Sequence, residues 1–125
     1  MATDPIIHSD LSEAIIGSAM KVLNTLKPGL NEKAYENALT VELRNRGFRV
    51  EQQKRFDVLY EGVLVDTLVP DLIVNESVIV DPKIAENFTP THLAQMIGYL
   101  AITSCRLALL LNFKFSDLRW KRVVR

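Results

Sequence analysis

At 125 residues, 48% of them hydrophobic and 24% charged, the chain suits one ordinary domain with a real core and is too apolar for wholesale disorder. Its 15 basic and 15 acidic side chains cancel, so no bulk charge draws it to a polyanion, although a local basic surface remains compatible with that balance. The one cysteine, Cys105, rules out a disulfide or a cysteine-based zinc site within one chain; lying in an apolar stretch, it reads as a buried, inert thiol.

The first eight residues lack a cationic segment followed by an apolar run. The longest strongly apolar stretch, residues 107–111, is far short of the roughly 20 residues of a membrane helix. A soluble, cytoplasmic protein with no membrane partner is therefore expected. No internal repeat, low-complexity tract or Gly/Ser/Pro-rich linker interrupts the chain, so residues 1–125 are expected to form a single domain.

The first helix is expected to open on a capping box formed by Asp10 and Glu13, with Leu11, Ile15, Ala19, Val22 and Leu26 at helical spacing. Lys27, Pro28 and Gly29 stop it. Asn31 can cap a second helix, with Tyr35, Leu39 and Leu43 on one apolar stripe and Gly47 at its end. The pattern then turns to strand at residues 48–50 and 56–60, with Glu61 and Gly62 as a turn. Residues 63–74 continue as strand, Asn75, Glu76 and Ser77 turn, and residues 78–84 return. Thr89 caps a third helix with Pro90 at its first position, running to about residue 103. Leu93, Ala94, Met96, Ile97, Leu100 and Ala101 make that helix apolar on most sides, which predicts a well-buried helix. Residues 106–112 and 118–124 read as two final strands. The class is α/β, in the order α-α-β-β-β-α-β-β, with helices packed on a mixed sheet of four to five strands.

Chemistry concentrates in the hairpin after Pro70. With its turn centred on Glu76, Asp71 faces Asp81 across two strands, and alternation places Ile73, Ile79 and Lys83 on the same face. Leu72, Val74, Val78 and Val80 make the opposite face plain core. Two carboxylates facing each other destabilise a sheet unless something offsets their repulsion. A divalent cation does so, and oxygen-only ligands suit Mg²⁺ or Mn²⁺. Lys83 would add positive charge at the edge of the pair. The spacing alone suits equally an exposed hairpin in which Lys83 simply pairs with Asp81.

Two further features are weaker. Glu32 shares a stripe with Tyr35 and Leu39, which predicts that it points to the core side, yet a first-turn glutamate favoured by the helix dipole is the commoner explanation. Gln95 and Tyr99 lie one turn apart on the third helix, an arrangement that a buried amide and a core tyrosine also explain. His92 reads as a surface or helix-start residue, since no second His or Cys stands at ligand spacing.

Together these residues resemble a known family. Gly29, Glu32 and Tyr35 match the motif of the GxxExxY protein family. Pro70 with Asp71, Asp81 with Lys83, and Gln95 with Tyr99 match the order of motifs in the PD-(D/E)XK nuclease superfamily, particularly its RecB-like and lambda-exonuclease-like branches. The resemblance runs from about residue 11 to about residue 124. It implies a restriction-endonuclease-like core and a Mg²⁺ or Mn²⁺ ion held by Asp71, Asp81 and the backbone carbonyl of Pro82. Glu32 would be a further acid beside the ion, direct or through water. Lys83 would orient or activate the attacking water, and Gln95, Tyr99 and Tyr35 would support the site or touch the nucleic-acid backbone. The implied function is metal-dependent hydrolysis of nucleic acid, DNA ahead of RNA.

The chain also departs from the family pattern. Asp81 stands where many members have Glu, a loss of roughly 1.5 Å of reach. Pro82 cannot donate to a ladder and fits only an edge, a bulge or a hydrogen-bond-free side. Leu23 and Lys27 replace the family's His and Gly. These departures define the alternative, a weakened or inactive nuclease-fold module that binds nucleic acid or protein. A third reading is a subunit that pairs with a second copy of itself or docks on another protein. Away from the metal, Lys54 and Arg55, or Arg119, Lys121, Arg122 and Arg125, are candidate phosphate contacts, although the C-terminal group suits a solvated strand edge equally well.

Overall fold

Alternation between residues 72 and 80 organises the molecule, because each side of that hairpin is greasy and each needs a cover. The computed structural model describes residues 7–125. Its elements are α1 (Ser9–Leu26), α2 (Glu32–Asn45), β1 (Val50–Gln52), β2 (Phe56–Tyr60), β3 (Val63–Leu68), β4 (Leu72–Val74), β5 (Val78–Lys83), α3 (Pro90–Thr103), β6 (Leu107–Asn112) and β7 (Arg119–Val124). Leu72, Val74, Val78 and Val80 join Leu107, Leu109 and Leu111 in one core, sealed by Ile15, Leu23, Tyr35, Leu39 and Leu43 of α1 and α2. Ile73, Ile79, Ala108 and Leu110 form a second core on the other face, closed by Met96 and Leu100 of α3. Each such leucine or isoleucine contributes about 1.5–3 kcal/mol by leaving water.

The main sheet has five strands in the order β1-β4-β5-β6-β7, and β2 and β3 form a separate two-stranded hairpin. Only β5 and β6 run parallel, and α3 supplies the crossover that a parallel pair requires. All six residues of β6 are buried, as expected of a central strand covered on both faces. Among the described residues no helix is long and apolar enough to cross a membrane.

Several expectations need correction. Five strands precede α3, where the expected order has three and the expected spans make four. Residues 63–74 do not make one strand: β3 pairs with β2, β4 pairs with β1 and β5, and the break falls at Val69, Pro70 and Asp71. Pro70 has no N–H for a ladder, so the chain changes partners there. The first strand lies at Val50–Gln52, not at residues 48–50. The capping box of Asp10 and Glu13 does not form, because α1 already starts at Ser9 and its cap is His8, in the left-handed region at φ 52°. Asp10 instead sits within the first turn, where the helix dipole favours its charge.

The third helix is also less buried than its composition predicts. Only Met96 and Leu100 are buried, and Ile97 is 56% exposed. One face of α3 covers the sheet, and among the described residues the other face is left exposed. Its start is as expected: the Thr89 side chain accepts from His92 N–H, and His92 Nδ1 accepts from Thr89 N–H, which makes His92 a helix-start residue. Cys105 is buried, as expected.

Candidate active site

The hairpin register pairs Leu72 with Val80, Ile73 with Ile79 and Val74 with Val78. One step further along that register, Asp71 stands opposite Asp81. Asp71 ends the irregular link from β3, and Asp81 lies within β5, so the two carboxyls face each other where β4 begins. Asp81 is only 3% exposed. Its Oδ2 lies 3.5 Å from Lys83 Nζ, and its Oδ1 is buried with no hydrogen-bond partner.

Burial first, and then the neighbouring Asp71 carboxyl, push the Asp81 carboxyl up from 3.8 to about 8, and Lys83 opposes this only in part. Desolvation penalises the anion, and a second carboxylate adds like-charge repulsion. Near neutrality Asp81 therefore keeps its proton in the metal-free protein. The hairpin face that carries them is the α3 face, occupied by Ile73 and Ile79.

Pro82 lies in an interior strand, aligned with Leu111 of β6. Lys83 turns its carbonyl to that side, where it accepts from Phe113 N–H at 2.9 Å. By alternation the Pro82 carbonyl points to the other side, just past the last β4–β5 pair. The register there would offer Pro70, which also has no N–H. With a proline at each of those positions the ladder ends beside the two aspartates, which meets the condition for a proline inside this sheet.

Glu32 does not point to the core side. It is exposed, and its Oε1 accepts from Ile84 N–H at 3.1 Å, beside the end of β5. Among the described residues no three of His, Cys, Asp and Glu stand together as a ready-made ligand set for one ion. Gln95 donates to the Tyr99 hydroxyl at 3.1 Å. The Tyr99 phenol is raised by partial burial and then by the charges of Asp81 and Asp71, which marks it as a neighbour of the pair. Tyr35 is fully buried and stacks on Phe113 at 4.8 Å between ring centres. Its hydroxyl donates to Lys27 C=O at 2.6 Å and accepts from Leu30 N–H at 3.1 Å, so it holds the α1–α2 turn and is out of reach of a nucleic acid.

The buried acid of α2 is Glu36, 4% exposed, which the sequence reading did not single out. It is bonded by Lys33 at 2.9 Å, by Gln52 at 2.6 Å and by Gln53, whose amide also reaches Asp71. The available signal was position: Glu36 lies one turn after Glu32 and next to Tyr35, on the inward side of the stripe. Among the basic candidates, Arg122 is committed to Ser12 Oγ at 2.8 Å and Ile7 C=O at 2.7 Å, so it anchors α1 to β7. Arg119 lies over the Phe115 ring, 3.9 Å from its centre, and Lys54 pairs with Glu51 at 3.0 Å.

The donor set fits a hard divalent cation. It offers two carboxylates, one of whose oxygens has no partner among the described residues, and the backbone carbonyl of Pro82, all oxygen ligands of the kind Mg²⁺ and Mn²⁺ prefer.

Comparison with known proteins bears on the family and the fold. No curated protein matches the chain. The crystal structure of LHK-Exo in complex with dAMP is similar with a TM-score of 0.53 at 12% identity, over 91% of this chain and 82% of the other. The crystal structure of an alkaline exonuclease, LHK-Exo, from Laribacter hongkongensis is similar with a TM-score of 0.51 at 12% identity, over 86% and 76%. At such identity the likeness is one of fold, and it supports the restriction-endonuclease-like core expected from the sequence. The model of the PD-(D/E)XK nuclease superfamily matches residues 9–123, nearly the whole chain, and the chain belongs to that superfamily.

Proposed function

We propose that this chain is a divalent-metal-dependent nuclease that hydrolyses phosphodiester bonds in nucleic acid, DNA ahead of RNA. The observation that carries the reading is the buried pairing of Asp71 with Asp81, one of whose oxygens has no partner, with the Lys83 ammonium 3.5 Å away. Asp71, Asp81 and the Pro82 carbonyl would hold Mg²⁺ or Mn²⁺. When bound, such an ion polarises a phosphoryl oxygen and acidifies a water. Lys83, only 19% exposed at its side chain, sits in a partly desolvated place where its ammonium would stabilise the negative charge developing on the attacked phosphate. Glu32 positions the backbone just past Lys83 through Ile84. Gln95 and Tyr99, on the neighbouring helix, offer hydrogen-bonding groups to the nucleic-acid backbone. The deoxynucleotide held by a protein of the same fold fits a DNA substrate. Within the superfamily, Gly29, Glu32 and Tyr35 favour the GxxExxY group.

The test is cleavage of single- and double-stranded DNA, with matched RNA, in the presence of Mg²⁺ or Mn²⁺. Purified wild type should cut, and Asp71→Ala and Lys83→Ala should each lose most activity. An inert wild type, or full activity in those variants, would sink the reading.

One observation favours a second reading. Glu32 is tied to Ile84 and leaves only two carboxylates at the site, which suits a module that binds nucleic acid or protein without cutting. Binding without any stabilisation by Mg²⁺ or Mn²⁺ would select it.

A further inference from the structure

We propose that Gln53 and Glu36 are positioning residues that hold the Asp71 carboxylate in the orientation needed to share a cation with Asp81, an inference that rests on the metal-site reading above. The register that pairs β1 with β4 brings Gln53 opposite Asp71, and Gln53 N–H donates to Asp71 C=O at 3.0 Å. Its side chain makes a second link: Nε2 donates to Asp71 Oδ1 at 3.1 Å. The same nitrogen lies 3.3 and 3.2 Å from the two oxygens of Glu36. One NH₂ group therefore bridges two carboxylates. Both partners only accept, so a flipped amide would set oxygen against oxygen, and the orientation is forced.

Gln53 adopts this place in the left-handed region at φ 59°, which a non-glycine residue enters only where its surroundings hold it there. Glu36 is the fixed end of the bridge. It is buried in α2, and Lys33 and Gln52 bond it from other directions. Asp71 is the end that needs holding. It is half-buried, it faces a second carboxyl, and Gln53 is its one side-chain hydrogen-bond donor among the described residues. Without the bridge, no other side-chain hydrogen bond among the described residues would hold the Asp71 carboxylate against rotation toward water.

Gln52 provides an internal control. Its amide reaches Glu36 and Asn37, both at 2.6 Å, and not Asp71. A merely structural role for the cluster would make Gln52 and Gln53 equivalent. A role in positioning would separate them.

The experiment is a Mn²⁺ titration followed by thermal stabilisation on wild type, Gln53→Leu, Glu36→Gln, Gln52→Leu and Asp71→Ala, with melting of the metal-free proteins and kcat and KM for DNA cleavage alongside. Gln53→Leu should weaken Mn²⁺ binding roughly 10–100-fold and lower kcat with little change in KM. Glu36→Gln should act in the same direction by a smaller factor, and it keeps the question answerable if Gln53→Leu folds poorly. Gln52→Leu should stay within about twofold of wild type, since it removes no partner of Asp71. If Gln53→Leu and Glu36→Gln bind Mn²⁺ as wild type does while Asp71→Ala does not, the bridge has no such role and the metal site stands. An equal loss in Gln52→Leu would overturn the proposal too. A wild type that Mn²⁺ does not stabilise removes the metal site, and this inference with it.

Discussion

The Glu32 carboxylate and the Ile84 backbone N–H, 52 positions apart, meet at 3.1 Å and tie the first turn of α2 to the end of the strand that carries Asp81, Pro82 and Lys83. A residue expected to face the core or the metal instead clamps the backbone beside the lysine. Glu32→Ala should cost about 1 kcal/mol in urea unfolding, since the bond is exposed to water. It should lower cleavage on the order of tenfold, the size seen when a group supporting a metal site is lost. Glu32→Gln keeps an acceptor and should retain most of both. Equal loss in the two variants would show that the charge, and not the bond to Ile84, is what matters.

The Asp81 carboxyl gives the metal-free protein a defined pH response. Its pKa is raised in the folded state, to about 8 against 3.8, so across that window the native state holds a proton that the unfolded chain has released. Its contribution to stability therefore falls as pH rises from about 4 to about 8, and then levels. Asp81→Asn has no such proton. Its melting temperature should match wild type near pH 5 and exceed it increasingly toward pH 8.5, measured in EDTA. A difference independent of pH would contradict the raised pKa of Asp81.

The same proton competes with a cation. Below pH 8, loading Mn²⁺ should release about one proton per ion, and affinity should rise by up to about tenfold per pH unit before levelling near 8. Calorimetric titration in buffers of different ionisation enthalpy counts that proton directly. Affinity flat between pH 6 and 8 would show that Asp81 does not take part.

Tyr35 lies under the α1–α2 turn, and its hydroxyl serves both a carbonyl and an amide. Tyr35→Phe keeps the stack on Phe113 but strands those two backbone groups. A stability loss of about 1–3 kcal/mol is expected from denaturant unfolding. A change under about 0.5 kcal/mol would mean that water replaces the hydroxyl without cost.

The uneven burial of α3 separates two adjacent residues. Ile97→Lys should change stability by less than about 0.5 kcal/mol, because that side chain already faces water. Met96→Lys would bury an unpaired charge against Ile73 and Ile79 and should leave little folded protein at 37 °C. Comparable melting of both variants would show α3 to be covered on its outer side in solution.

Much of this molecule was legible in the sequence because the signals were local. The turn at Asn75 and Glu76 and the alternation around it place Asp71 opposite Asp81, and both are properties of about ten consecutive residues. The caps at Thr89 and Pro90 and the run in β6 are equally local, as is the order of motifs that marks the superfamily. What the chain's own pattern did not reveal depends on partners distant along it. Residues 56–68 have the composition of sheet strands, yet they pair only with each other. The third helix is apolar nearly all round, but burial requires a neighbour on each side, and the fold supplies only one.

The candidate site divides in the same way. Alternation alone reads the two aspartates and Lys83, since a strand's period is two. Glu36, Gln53 and Asp71 come from a helix, the end of a strand and the link before another, and no spacing rule connects positions 36, 53 and 71. Sequence determined which acids could face each other across a hairpin. Tertiary structure decided which of them are buried, which are held and by what, because desolvation and hydrogen bonding depend on atoms that only folding brings near.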